Sequence, residues 1–294
     1  MRFLVLGASA GGGLPQWNCG CRNCNDARAG VIPPSGQSSL AVGLGEAWAV
    51  INASPDLRQQ FLDRPALHPR ALRDTPVASV LLTNGDIDHI AGLLTLRERT
   101  PFRLFATQGI LEVLASNPVF DALASDVVAR KAIRLETPFE LLKGVEAELF
   151  AVPGKVPLFL EGAEVETEMM GEQTVGVRLS GTGKTAYYIP GCARVTDDLR
   201  ARLADADLLF FDGTLWDDDE MTRTGTGQKT GRRMGHISMS GPDGAMAALG
   251  ALDARKVFIH INNTNPVLQP DGPEAAEVAA NGWVVAFDGM EISL

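Results

Sequence analysis

Val80-Leu81-Leu82-Thr83-Asn84-Gly85-Asp86-Ile87-Asp88-His89-Ile90-Ala91-Gly92-Leu93-Leu94 is an apolar run that ends in a knot of metal-ligand side chains. The run reads as a buried strand, and the residues after Asp88 as the start of a helix. Two further runs end the same way: Leu208-Leu209-Phe210-Phe211 precedes Asp212, and Val257-Phe258-Ile259 precedes His260. Each places a carboxylate or an imidazole just past the carboxyl end of a strand. The chain has only 4 histidines, and two of them fall in these positions. An aspartate ahead of a helix is also a good N-cap. The adjacent His89 and the matching strand ends favour ligation, so Asp86, Asp88, His89, Asp212 and His260 are the candidate metal ligands. First-row transition metals accept this mixture of imidazole nitrogen and carboxylate oxygen.

Around these runs, Phe3 to Leu6 reads as a first strand, and Ser39 to Leu44 with Ala47 to Asn52 as a hairpin turning at Gly45-Glu46. His89 to Arg99 has apolar residues at near-helical spacing and is stopped by Pro101. Phe102 to Ala106 and Gly109 to Ala115 repeat strand then helix. Phe139 to Val152, Glu164 to Met170, Val175 to Ser180 and Thr185 to Ile189 form a strand-only middle. Helix and strand then alternate: Leu199 to Ala204, Leu208 to Phe211, Pro242 to Leu252, Val257 to Ile261, Glu274 to Ala280 and Trp283 to Phe287. A strand-only middle excludes a plain doubly wound sheet. It fits two sheets packed face to face with helices outside. No composition break marks a linker, so residues 1–294 are expected to form one domain.

Of the 294 residues, 45% are hydrophobic and 21% charged, enough for a large core. The formal charge of −10 argues against nucleic-acid binding, which needs clustered Lys and Arg. No apolar stretch reaches the roughly 18 residues of a membrane span, and the amino terminus lacks a signal-peptide core. A cytoplasmic location is the expectation. Three of the 4 cysteines are crowded as Cys19-Gly20-Cys21-Arg22-Asn23-Cys24. That is a poor disulfide framework and a good structural zinc cluster, short of a fourth ligand. His236 and a nearby carboxylate are candidates for it, and Asp26 lies very close in sequence. The isolated Cys192 reads as a small buried hydrophobe. The acidic, then Gly/Thr-rich stretch 217–230 reads as a lid beside the metal. Arg232 and Arg233 are placed to hold substrate carboxylates bidentately. His236 is either an acid/base residue or the missing zinc ligand.

The stretch 81–94 resembles the signature loop of the metallo-β-lactamase superfamily, His-x-His-x-Asp-His followed by a small residue and Gly. Asp88 and His89 match; Asn84 and Asp86 replace the first two histidines. Phe210-Phe211-Asp212-Gly213-Thr214 resembles the bridging aspartate, and Ile259-His260-Ile261-Asn262 the last histidine. Lys155 stands where the middle histidine belongs. The resemblance implies an α/β fold, a four-layered αββα metallo-β-lactamase-like sandwich. It also implies a metal site reduced to Asp88, His89, Asp212 and His260, with Asp86 as an extra oxygen. Longer blocks narrow it further: Ala10 to Cys19, Asn52-Ala53-Ser54-Pro55-Asp56, Phe211 to Trp216, Met234-Gly235-His236 and His260 to Pro266 together resemble the pyrroloquinoline quinone biosynthesis protein B family.

That resemblance covers essentially the whole chain. It implies a cytoplasmic role in building pyrroloquinoline quinone (PQQ) from a peptide-derived Glu–Tyr precursor. Two activities are associated with the family: an Fe(II)- and O2-dependent hydroxylase of a tyrosine-derived ring, and a carrier of the cofactor toward the periplasm. The missing histidines favour the hydroxylase, with Fe(II) at the active centre, zinc able to replace it, and a separate structural zinc. A residual zinc hydrolase is a third reading. The implied partners are the small-molecule precursor and other PQQ biosynthesis proteins, and self-association is compatible with all three readings.

Overall fold

The computed structural model describes residues 1–162 and 164–294. Its strands are β1 (Arg2–Gly7), β2 (Ser39–Leu44), β3 (Ala47–Ile51), β4 (Val77–Leu81), β5 (Phe102–Ala106), β6 (Val128–Ala132), β7 (Phe139–Leu142), β8 (Val145–Ala151), β9 (Val175–Gly181), β10 (Lys184–Ile189), β11 (Leu208–Asp212), β12 (Arg255–Ile259), β13 (Trp283–Val285) and β14 (Glu291–Ser293). They form two seven-stranded mixed sheets, ordered β14-β1-β2-β3-β4-β5-β6 and β13-β12-β11-β10-β9-β8-β7. In the first, β3 to β6 run parallel. In the second, β10 to β13 do.

Alternation along the strands builds the layers, because successive side chains leave opposite faces of a sheet. Phe3 and Val5 of β1 join Phe210 of β11 and Val257 and Ile259 of β12 in a core between the sheets. Leu4 and Leu6 face the other way, onto a second core with Leu57, Leu93, Ile110 and Leu114 from flanking helical segments. Leu209, Phe211 and Phe258 face a third core with Leu199, Met246, Leu249 and Val278. Helix, sheet, sheet, helix is therefore the order of layers, as the sequence predicts. No helix among the described residues is long and apolar enough to cross a membrane.

The differences from the sequence reading have local causes. His89 to Arg99 is not one helix: a turn of α-helix at Ile87–Ile90 passes into 3-10 helix over Ala91–Leu96. Two long-range backbone bonds intervene, Ala53 N–H to His89 O at 2.7 Å and Gly92 N–H to Ala53 O at 2.9 Å. A Cβ at Gly92 would sit 2.0 Å from the Ser54 carbonyl oxygen, so only glycine permits this approach. Glu164 to Met170 is no strand; Met169 alone bridges to Gly154. The segment 242–252 is helical only over Ala245–Leu249. A helix at Arg22–Arg28 inside the cysteine loop, and the edge strands β6 and β14, went unpredicted.

Candidate metal centre

Strands β4, β11 and β12 end at the same rim of the sandwich. β11 and β12 pair in parallel with Asp212 opposite Ile259, so Asp212 and His260 emerge side by side. β4 lies in the other sheet and brings the Asn84–His89 turn across the rim. Two backbone ladders tie the sheets there: Val175 N–H bonds the Thr83 carbonyl at 2.9 Å, and Ala10 N–H the Ile261 carbonyl at 2.8 Å. His260 takes a left-handed backbone, φ 62°. A non-glycine residue holds that conformation only where its surroundings enforce it, commonly at functional sites.

Asp88, His89 and His260 offer one ligand atom each within 4.8 Å of one another, and so do Asp212, His236 and His260. The protonation pattern follows from the neighbours. Asn84 Oδ1 accepts the Asp86 N–H at 3.0 Å and lies 2.7 Å from His89 Nδ1, so His89 carries its proton on Nδ1. His89 Nε2 is then a lone pair, and it is buried with no partner. Thr214 Oγ1 donates its single proton to Asp212 Oδ1 at 2.7 Å, so it accepts from His260 Nδ1 at 2.7 Å. His260 Nε2 and His89 Nε2 both face Asp88 Oδ2, at 3.1 and 3.9 Å. Two imidazole Nε2 atoms aimed at one carboxylate oxygen, each with its Nδ1 tied to an oxygen acceptor, match the outer-shell pattern of metal sites. The orphaned His89 nitrogen is the direct sign that these residues fit a cation.

The electrostatics agree. Burial pushes the Asp88 carboxyl up, but His89 and His260 hold it well below the usual carboxylate range. Burial lowers His89 to about 4, keeping it a neutral ligand. Burial would also lower His260, yet the Asp88 hydrogen bond and the charges of Asp88 and Asp212 raise it overall. Asp212 is fully buried; burial raises its carboxyl, and His236, His260 and Thr214 bring it below normal. Its Oδ2 accepts from Cys192 N–H at 2.9 Å and from His236 Nδ1 at 2.8 Å.

The other sequence candidates separate. Asp86 lines the cavity without joining either cluster; burial, then the charge of Asp88, raise its carboxyl, and its Oδ1 accepts from Leu158 N–H at 3.3 Å. His236 stacks on His260 with ring centroids 5.2 Å apart. It therefore belongs to this centre and is not the fourth ligand of the cysteine cluster, a correction to that reading. Arg232 lines a separate surface groove with Arg194 and Asp218, away from the metal residues. Arg233 is held by Glu161 at 3.0 Å. A cavity of about 300 Å³ opens on the centre, walled by Lys155, Leu158, Glu161, Met221, Lys229 and Met234 among others. Stretch 217–230 thus reaches the cavity through Met221 and Lys229.

Cys19, Cys21 and Cys24 present their sulfurs within 4.8 Å of one another. The Asn263 side-chain amide lies among them, 3.2, 3.6 and 3.3 Å from the three sulfurs. Its Nδ2 donates toward all three sulfurs, so Asn263 is a hydrogen-bonding neighbour of the cluster that the sequence does not reveal, and the fourth ligand stays unassigned. Asn84 and Thr214 were missed as well. Their signal was proximity: each sits within five residues of a ligand and carries a side-chain oxygen.

A β-lactamase superfamily domain model matches residues 47–261. Over full length the chain is 68% identical to coenzyme PQQ synthesis protein B of Ruegeria pomeroyi, covering 100% of both chains. It is 56% identical to the protein of that name from Rhizobium meliloti, covering 100% of this chain and 98% of the relative. A crystal structure of zinc-bound PqqB from Methylobacterium extorquens superposes with a TM-score of 0.99 at 55% identity, covering 100% of each chain. A diphosphatase of the PhnP family shares the fold at a TM-score of 0.72 and 20% identity, covering 100% of this chain and 97% of its own.

Proposed function

The chain belongs to the coenzyme PQQ synthesis protein B family, within the β-lactamase superfamily, and from that premise we propose that it is a metal-dependent hydroxylase acting on a tyrosine-derived ring of a Glu–Tyr-derived PQQ precursor. One observation carries this reading: Asp88, His89 and His260 converge as two imidazoles and one carboxylate. That donor set with open positions suits a non-haem Fe(II) oxygenase. When bound, Fe(II) supplies electrons that reduce dioxygen, whereas zinc, the ion in the Methylobacterium extorquens structure, supplies Lewis acidity alone.

The protein's own part is to hold and to move protons. Asp88, His89 and His260 would hold the ion; Asp212, expected from the sequence as a further ligand, has its oxygens engaged by Thr214, Cys192 N–H and His236. Asp212 ties His236 and Thr214 together. With Nδ1 bonded to Asp212, His236 has Nε2 left to exchange a proton with a phenolic hydroxyl. Asp86 supplies a further oxygen in the cavity wall. Residues 217–230 act as a lid that excludes water, with Met221 and Lys229 at the cavity. One oxygen atom is inserted into a ring C–H bond and the other leaves as water, taking up two protons and two electrons. Those two electrons and protons come from oxidation of the catechol product to the quinone, or of an added reductant such as ascorbate to dehydroascorbate. Cys19, Cys21 and Cys24 would hold a structural zinc, with the Asn263 amide donating to their sulfurs, and residues 1–294 work as one cytoplasmic unit.

The test is turnover of a Glu-derived cross-linked tyrosine by Fe(II)-loaded protein, with and without oxygen. Oxygen-dependent ring hydroxylation is expected, and equal product without oxygen would remove the proposal. Zinc in the relative gives a hydrolase as the second reading, which predicts ester or phosphodiester cleavage restored by zinc. Tight PQQ binding without any turnover would leave the carrier.

A further inference from the structure

One buried acid takes no part in the chemistry above. Glu220 opens the short helix Glu220–Arg223, and its side chain is turned inward. Its Oε2 accepts from Trp216 N–H at 2.7 Å, and its Oε1 accepts from Thr264 Oγ1 at 2.5 Å. Trp216 closes the loop that carries Asp212, and Thr264 belongs to the segment that leaves His260. One side chain therefore fastens stretch 217–230 to the backbone beyond both residues. Met221, next in sequence, extends the contact: its Sδ accepts from Asn262 Nδ2 at 3.2 Å, and both residues line the cavity. What Glu220 holds in place is thus part of the cavity wall.

The surroundings suit a neutral acid better than a carboxylate. The segment beyond His260 presents Thr264 and Asn262, and the aspartate loop presents the Trp216 amide, none of them charged. On its own stretch Asp217 repels it, and the nearby cation, Arg223, is taken by Asp217 at 2.7 Å with Asp219 close by. A carboxylate buried without a cation is costly, and burial raises this carboxyl to about 7. When Glu220 carries the proton, the 2.5 Å contact runs the other way, and the Thr264 hydrogen turns to Met221 Sδ at 3.7 Å. Once ionised, the side chain is better solvated outside the fold. We propose that Glu220 is a proton-controlled latch: as the neutral acid it fastens stretch 217–230 over the metal cavity, and loss of its proton frees that stretch to open. This rests on residues 217–230 being the lid named above and not on the reaction at the centre. In the open form the carboxyl returns to the ordinary 4.5. The open population therefore grows about tenfold between about pH 6 and about pH 8, most of it below pH 7.

Limited trypsin digestion of the zinc-loaded full chain tests the latch, with cleavage at Arg223 and Lys229 followed by mass spectrometry. Each rate is divided by that of a free peptide of residues 217–236 at the same pH, which removes the protease's own pH dependence. The native protein should be cut about tenfold faster at about pH 8 than at about pH 6. Glu220→Gln keeps the shape and an acceptor but cannot ionise, so its two rates should agree within about twofold. Thr264→Val removes one partner of the latch and should raise cleavage at about pH 6 by about fivefold. A Glu220 that only fills space predicts parallel pH profiles for the native protein and Glu220→Gln. That result overturns the proposal, as does native cleavage that does not rise with pH. Should Thr264→Val fail to fold, the comparison of native protein with Glu220→Gln still decides. Failure of oxygen-dependent turnover leaves these digests unchanged, so the two ideas fail separately.

Discussion

Substituting Asn84 tests the centre at its most exposed inference, the tautomer of His89. Asn84 Oδ1 receives two donors, the Asp86 N–H at 3.0 Å and His89 Nδ1 at 2.7 Å. The amide orientation is fixed by the first, since a side-chain NH2 cannot accept from a backbone N–H. In Asn84→Ala both donors lose their acceptor. The His89 ring is 1% exposed, so water does not replace it. An unpaired buried donor costs about 1–3 kcal/mol. The imidazole can recover part of that by rotating or by moving its proton to Nε2, and either change removes the lone pair that faces Asp88. Loss of an outer-shell partner of this kind weakens metal binding by about 10–100-fold.

The assay is metal affinity by competition with a chromophoric chelator, using Fe(II) without oxygen and then zinc, with thermal melting as the fold control. Asn84→Ala should bind the active-centre metal at least about tenfold more weakly. Asn84→Asp keeps the acceptor and adds charge, so it should bind as well as the native protein or better. If Asn84→Ala holds the metal within about twofold, a change below 0.5 kcal/mol, His89 does not ligate through Nε2 and the assignment of the centre is wrong.

Thr214→Val keeps the shape but removes the hydroxyl shared by Asp212, His260 and His236; activity should fall about 10–100-fold with the melting temperature little changed, and Thr214→Ser should restore it. Cys24→Ala should lose zinc from the cysteine cluster in elemental analysis, and Asn263→Ala should weaken it less, because it removes hydrogen bonds to the sulfurs and not a ligand. Glu220 is buried in the stretch 217–230, and burial raises its carboxyl to about 7. A raised acid binds its proton more tightly in the folded state, so stability is lost as pH rises from about 4.5 to about 7, by up to about 3 kcal/mol. Melting curves of Glu220→Gln should lack that fall, and parallel pH profiles for both proteins would refute it.

Sequence carried the ligand positions because each follows an apolar run long enough to be a buried strand. β11 and β12 are read from Leu208–Phe211 and Val257–Ile259 almost without adjustment. Pairing across two sheets carries no such signal, so the company that Asp88 keeps with His260 rests on matching strand ends and ligand chemistry, which the resemblance sharpens. Arg232 and Arg233 show a different limit. Neighbours on a helix point about 100° apart, so in the helix Gly231–Met234 one arginine turns to the outer groove and the other to Glu161. The roles of Asn84, Thr214 and Asn263 were hidden because small polar residues beside a strand end are ordinary turn formers. What distinguishes them is which buried atom they satisfy, a three-dimensional fact.

The segment after His260 shows why those neutral residues matter. The left-handed backbone at His260 ends the strand, and buried backbone groups beyond it need partners that no ladder supplies. Asn265 Nδ2 donates to the Gly213 carbonyl at 3.1 Å, on the loop that carries Asp212. Thr264 Oγ1 donates to Glu220 Oε1 at 2.5 Å, on the proposed lid. The Asn263 amide reaches the cysteine sulfurs, and Asn23 Nδ2 donates to the Asn263 and Asn265 carbonyls at 3.0 and 2.9 Å. Four consecutive residues beginning at Asn262 therefore join the cavity, the cysteine cluster, the lid and the aspartate loop. Loosening the cysteine cluster must then release the peptide that aims His260. Cys24→Ala should weaken metal binding at a centre whose ligands it does not touch, and its effect should not add to that of Asn263→Ala.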